Sequence, residues 1–264
     1  MAFERLGDIV VHCQESGPAT APLLVLANSL GTDLRVWDAL LPRLDRRFRV
    51  FRYDKRGHGL TDATPGPYTI RQLAEDLARL LDARPAAGAV VCGLSIGGMI
   101  AQSLVSMRPD LVRGLVLMDT AHKIGTPQVW AERIAAIRAG GIASIADAIL
   151  TRWFTPDFHR ERAAELAGWR NMLSRTPVEG YLGCCAAIRD ADLTATARAV
   201  AVPTLCMVGD ADGSTPPELV AELASLVPGA RLVTIAGAGH VPCVERPEAV
   251  AEAMLGFFEE TRFV

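Results

Sequence analysis

Two glycines flank a serine in Gly93-Leu94-Ser95-Ile96-Gly97, directly after the apolar run Ala89-Val90-Val91-Cys92. The spacing fits a sharp strand-to-helix turn, in which glycines without a β-carbon let the backbone fold tightly and leave the serine hydroxyl at the top of a sheet. Ser95 is therefore the candidate nucleophile. A chain with 23 glycines offers about a 7 % expectation of one chance match to so short a motif, so its weight depends on partners. A serine nucleophile needs a base to take its proton and a carboxylate to orient that base and stabilise it as imidazolium.

Five histidines are available. His240 lies in the glycine-rich loop Gly237-Ala238-Gly239-His240, immediately after a strand-like run, where loops at the carboxyl edge of a sheet collect reactive groups. It is the candidate base. His12 sits inside an early strand, while His122 and His159 fall at or within a helical stretch. His58, in Asp54-Lys55-Arg56-Gly57-His58-Gly59, reads better as part of a turn braced by Asp54 and Arg56. For the carboxylate, Val208-Gly209-Asp210-Ala211-Asp212 offers two aspartates. Asp212 stands further into the loop and is the choice, whereas Asp210 suits turn hydrogen bonds near Gly209. The chain order Ser95, Asp212, His240 is the nucleophile-acid-base order expected when Gly-x-Ser-x-Gly follows a central strand of an α/β sheet. Acyl transfer also needs donors for the developing oxyanion. The Ile96 N–H, at a helix start, and the Leu30 N–H of Asn28-Ser29-Leu30-Gly31 are the candidates.

The elements that must position these residues alternate. Ile9–Cys13, Leu23–Ala27, Val50–Tyr53, Ala89–Cys92, Leu115–Met118, Thr204–Val208 and Arg231–Ile235 read as strands. Several are apolar throughout, the signature of burial on both faces in a mostly parallel sheet. Ile70–Leu81 carries apolar residues at helical spacing with Thr69 as N-cap, and Met99–Met107 is a helix ended by Pro109. Further helices are expected over Glu218–Leu226 and Pro247–Phe258. Between the strands, Ile134–Leu150 is helical with an interruption at Gly140-Gly141, and no strand-like run appears from 123 to 198. The expectation is a doubly wound α/β core of residues 1–122 and 199–264 with a helical cap of residues 123–198.

With 264 residues, 50 % hydrophobic content and a net charge of -3, the chain suits one large globular domain with an insertion and has no basic surface for nucleic acid. The amino terminus lacks a signal pattern and no apolar run is long enough to span a bilayer, which implies a cytoplasmic protein without membrane contact. The six cysteines show no C-x-x-C spacing and suit reduced core thiols. No ligand spacing implies a metal or other cofactor, and nothing in the sequence speaks to oligomeric state.

Across its length the chain resembles the α/β-hydrolase family, through Asn28-Ser29-Leu30-Gly31, Asp54–Gly59, Gly93–Gly98, Gly209–Asp212 and Gly239-His240. Within it the chain looks most like the 3-oxoadipate enol-lactonases, which carry Asn-Ser-Leu-Gly at that first position and have cap motifs similar to Gly125–Arg133 and Arg152–Thr155. It departs from them around the base, where Gly239–Glu245 replaces their Ser-His-Ile-Ser-Asn-Ile-Glu. The resemblance implies hydrolysis of a small anionic enol-lactone to 3-oxoadipate. Its carboxylate would meet an arginine: Arg133 with Trp153 is the first choice, with Arg138, Arg152 and Arg189 as substitutes and Ser29 as an added hydrogen-bonding group. Other lactonases or carboxylesterases, and a cofactor-free perhydrolase, would use the same three side chains. A non-catalytic small-ligand receptor on the same fold is the reading from a different class.

Overall fold

The computed structural model describes residues 2–84 and 88–263. Eight strands, β1 (Ala2–Leu6), β2 (Ile9–Ser16), β3 (Leu23–Ala27), β4 (Arg49–Tyr53), β5 (Ala89–Leu94), β6 (Val112–Met118), β7 (Thr204–Gly209) and β8 (Arg231–Ile235), form one sheet in the order β1-β2-β4-β3-β5-β6-β7-β8. Only β2 runs against its neighbours; β4, β3, β5, β6, β7 and β8 are parallel. Every residue of β3, β5 and β7 is buried, which explains why these strands carry near-continuous apolar runs rather than alternating.

β1 is absent from the sequence reading. It is an edge strand with Ala2 and Phe3 exposed, held by pairing with β2 through a hairpin at Gly7-Asp8, so no apolar run announces it. The other strands fall where the apolar runs are, with ends moved by a few residues.

The helices are α1 (Leu41–Leu44), α2 (Ile70–Asp82), α3 (Ile96–Met107), α4 (Pro127–Gly140), α5 (Ala146–Trp153), α6 (Pro156–Glu161), α7 (Ala163–Ser174), α8 (Val178–Arg189), α9 (Thr194–Arg198), α10 (Pro217–Leu226), α11 (Pro242–Glu245) and α12 (Pro247–Glu260). The Thr69 hydroxyl accepts the Gln72 N–H at 3.0 Å and caps α2 as expected. Of the stretch read as Ile134–Leu150, the structure makes two helices, α4 and α5, joined by a short 3-10 turn at Ile142–Ile145, with Gly141 at φ 70°. α4 starts seven residues earlier than the sequence suggests because Thr126 caps it and Pro127 occupies its first turn, where a missing N–H costs nothing. No described helix is long and apolar enough to cross a membrane.

Helices α4 to α9 all lie between β6 and β7, and one close contact sets them over the sheet edge. A β-carbon on Gly180 of α8 would stand 2.2 Å from the Gly57 carbonyl oxygen, so helix and strand-end loop meet backbone to backbone. Gly180→Val is expected to lose about 1–3 kcal/mol of stability from overpacking, read as a fall in thermal midpoint. An unchanged midpoint would refute that contact.

Candidate active site

The turn at Ser95 is built by close approaches that only glycine permits. A β-carbon on Gly97 would stand 2.0 Å from the Ala27 carbonyl oxygen, and one on Gly93 would stand 2.2 Å from the Gly97 oxygen. α3 can therefore begin directly against β3 and β5. Ser95 sits between strand and helix at φ 57°, ψ -120°, an uncommon conformation for a residue with a side chain. Its N–H donates to Met118 O at 2.9 Å, and its carbonyl accepts the Thr120 hydroxyl at 2.6 Å, so the strained residue is held from β6.

At the neighbouring strand ends, His240 Nδ1 lies 2.9 Å from Asp212 Oδ2 and 3.0 Å from Oδ1, both residues buried. The Asp212 carboxylate also accepts the Thr215 hydroxyl at 2.6 Å and the N–H groups of Ser214 and Thr215. Burial works to raise the Asp212 carboxyl, but the facing His240 and these donors hold it below the ordinary aspartate range. A carboxylate can only accept, so it assigns the proton to His240 Nδ1 and leaves Nε2 as the basic nitrogen. Ser95 and His240 line one cavity. Among the described residues no hydrogen bond joins the two side chains. Such contacts commonly tighten only when substrate binds.

Asp210 is occupied elsewhere, its Oδ1 accepting Gly237 N–H at 2.8 Å and Ala238 N–H at 3.2 Å, which shapes the loop leading to His240. His58 accepts the Gly31 N–H on Nε2 at 3.0 Å and is neutral, since burial and the neighbouring Lys55 cation push its pKa well down. His12 pairs with Asp54 at 2.7 Å, His122 faces Glu222 at 3.6 Å, and His159 bonds the Leu150 carbonyl.

The two candidate oxyanion donors are free. Among the described residues neither Leu30 N–H nor Ile96 N–H donates to any acceptor. Leu30 lines the cavity, and Ile96 opens α3 with its side chain fully buried below.

The cavity is small, about 100 Å³. Its floor is Ser29, Leu30, Ser95, Thr215 and His240, and its roof is Trp130, Arg133, Ile149, Arg152, Trp153 and Tyr181. Larger clefts of about 670 and 620 Å³ lie elsewhere and contain neither Ser95 nor His240. Arg138 and Arg189 line the second of those clefts, with Arg189 paired to Asp190 at 2.7 Å, so as substitutes for Arg133 they are corrected by the structure. The resemblance implies an arginine in the segment 123–198, and the sequence of that segment does not say which helix face looks inward.

Arg133 and Arg152 both reach the cavity, and neither has a carboxylate partner among the described ion pairs. The Arg133 guanidinium lies 4.5 Å above the Trp130 ring, and the buried Tyr181 lines the same cavity. Arg152 is half-buried; desolvation and the neighbouring Arg133 cation both lower its pKa. Two uncompensated cations facing an apolar, aromatic-walled cavity form a site for an anion.

Three residues outside the sequence reading support this arrangement. Asp119 follows β6 directly, is fully buried at φ 45°, and accepts the Gly209 N–H at 2.9 Å. Burial and the adjacent Asp212 carboxylate push its pKa well up from the ordinary aspartate value, which disfavours a second anion beside the His240 pair. Its place at a strand end, like that of Asp212, was the available signal. Asp119, Asp212 and His240 also bring potential metal-ligand atoms within 4.8 Å of one another, a cluster that linear spacing does not disclose. In it His240 Nδ1 and both Asp212 oxygens already hydrogen-bond one another. Glu245 accepts Gly239 N–H at 2.6 Å and the Thr155 hydroxyl at 2.7 Å, joining the His240 loop to the inter-strand helices. Lys55 is buried beside the Ser29 carbonyl.

The family model described as the alpha/beta hydrolase family matches residues 24–253. The chain is 32 % identical to 3-oxoadipate enol-lactonase 2 of Acinetobacter baylyi, over 94 % of this chain and 92 % of that one. The crystal structure of the enol-lactonase from Burkholderia xenovorans LB400 superposes with a TM-score of 0.94 at 38 % identity, covering 98 % of this chain and 100 % of the other. A thermophilic esterase from Thermogutta terrifontis, solved with malate bound, gives a TM-score of 0.90 at 29 % identity, covering 96 % and 94 %.

Proposed function

Because the chain belongs to the alpha/beta hydrolase family, we propose that it opens a small anionic enol-lactone, 3-oxoadipate enol-lactone, by acyl transfer to Ser95. The observation that carries the reading is one small cavity that joins a strained serine and an aspartate-paired histidine to two unpaired guanidiniums. In this account the substrate carboxylate rests on Arg133 and Arg152, with Trp153 as an apolar wall and Ser29 as an added hydrogen-bonding group. The helices of residues 123–198 act as the cap that selects for size and charge.

The chemistry then follows from the donor and acceptor inventory. His240 Nε2 takes the Ser95 hydroxyl proton as Oγ attacks the lactone carbonyl carbon, and the Leu30 and Ile96 N–H groups receive the oxyanion. Asp212 stabilises the imidazolium. The ring C–O bond breaks, His240 returns its proton to the leaving enol oxygen, and the enol tautomerises to the ketone, which draws ring opening forward. Water, deprotonated by His240, attacks the acyl carbon and releases the product as Ser95 Oγ regains a proton.

The test is charge selectivity. Wild type is expected to favour the carboxylate lactone over its neutral carboxamide analogue by about 100-fold in kcat/KM, since a charge-assisted pair contributes roughly 1.5–3 kcal/mol. Arg133→Met and Arg152→Met should each lower kcat/KM for the anion by about 10- to 100-fold and leave the carboxamide nearly unchanged. Equal loss on both substrates would sink the assignment of these arginines. A carboxylesterase acting on small anionic esters is the second reading, favoured by the likeness to the esterase with malate bound. A panel of acyclic anionic esters in the same assay separates the two.

A further inference from the structure

The Lys55 ammonium donates to the Ser29 carbonyl at 2.5 Å from a site 2 % exposed. No described carboxylate lies within ion-pair distance of it. The same carbonyl accepts the Thr32 hydroxyl at 3.0 Å and the Thr32 N–H at 3.3 Å. Three donors therefore fix the orientation of one peptide plane. In a trans peptide the carbonyl and the following N–H point in opposite directions. With the Ser29 oxygen turned to Lys55, the Leu30 N–H faces the other way, on the side where Ser29 and Leu30 line the cavity. The next N–H, of Gly31, is taken up by His58, which leaves Leu30 as the donor free to act.

We propose that Lys55 is a positioning residue for the oxyanion site, its buried cation orienting and polarising the Ser29–Leu30 peptide so that the Leu30 N–H stabilises charge on the reacting carbonyl. This rests on the acyl-transfer reading above. A cation on the carbonyl oxygen draws density from the amide and strengthens its N–H as a donor, and pre-orientation removes reorganisation during reaction. A neutral turn would need only Thr32 for the carbonyl. Burying an ammonium without a counter-ion is costly.

The groups facing Lys55 are Cys184 from α8, Asp54 beside it, Asp33 beyond the Ser29 turn, and His58. Burial lowers the Lys55 pKa to about 8. His58 is neutral, and burial raises the Cys184 thiol to about 12, so neither gains or loses charge near pH 8. Below that pH Lys55 is charged and polarising; above it the charge is lost and the oxyanion site weakens.

The experiment measures kcat and KM for the lactone from pH 6 to 10, with thermal midpoints, in wild type, Lys55→Met and Lys55→Gln. Lys55→Met is expected to lower kcat by about 10- to 100-fold, part of the 10²–10³ lost when an oxyanion donor is removed outright. KM should stay within about two-fold, and the midpoint should not fall, because Thr32 still satisfies the Ser29 carbonyl and an unpaired buried charge is gone. Wild type should show an alkaline fall in kcat near pH 8 that both variants lack, with Lys55→Gln intermediate in rate. Wild-type kcat in Lys55→Met, persistence of the alkaline fall in both variants, or a rate loss that follows a lowered midpoint would each overturn the proposal. Ser95→Ala assayed alongside keeps the two levels apart. If turnover requires Ser95 but ignores Lys55, acyl transfer stands and the role of Lys55 is wrong.

Discussion

Ser95→Ala is expected to lower kcat for lactone opening by about 10⁶, the scale at which loss of a nucleophile in a serine, histidine and aspartate unit leaves only binding and oxyanion stabilisation. Stability should hardly change, because alanine meets the same backbone restriction at φ 57°, ψ -120° and the hydroxyl makes no hydrogen bond to the described protein. Ser95→Gly would be equally inactive but more stable by about 1 kcal/mol, since glycine adopts that conformation without strain. The pair of variants therefore tests two statements in one protein: that the hydroxyl does the chemistry, and that the turn holds it in a conformation the fold must impose. Residual turnover within ten-fold of wild type in Ser95→Ala would mean that Ser95 is not the nucleophile.

The second large effect is expected at Asp212. Asp212→Asn should cost about 10⁴ in kcat, since an amide nitrogen facing His240 Nδ1 requires that atom to accept and moves the ring proton to Nε2, the atom that must act as base. The asparagine oxygen can still accept from Ser214 N–H and Thr215 N–H, so folding should be retained. Asp210→Asn supplies the contrast. That carboxylate holds Gly237 and Ala238, and its loss should lower the thermal midpoint with little change in kcat. Comparable kcat losses at both positions would mean that the choice between the two aspartates rests on loop shape rather than on the hydrogen bond to His240.

The sequence discloses the parts of this molecule that depend on local spacing. The cores of β3, β5, β6 and β7 are apolar runs, the Ser95 turn is written in glycines, and the strand-end positions of Asp212 and His240 follow from the runs before them. What it does not disclose depends on contacts between distant segments. β1 owes its existence to pairing with β2, not to any apolar pattern of its own. Lys55 looks like one more charge in a polar loop until the fold sets it against Ser29, 26 residues away. Glu245 joins Thr155 across 90 residues. Arg152 and Arg138 are equivalent by composition, and only helix orientation turns one toward Ser95 and the other toward a separate cleft. The floor of the cavity is set by strand ends, which local spacing reveals, and the roof by packing between helices, which it does not.

Covalent chemistry at Ser95 can be read out by treating the protein with a serine-directed aryl phosphonate and mapping the adduct by peptide mass spectrometry. A single adduct is expected, on the peptide carrying Ser95, with stoichiometric loss of lactone hydrolysis and slower labelling when the lactone is present. Full activity in protein that carries the adduct at Ser95, or an adduct formed only at another residue while hydrolysis disappears, would contradict it.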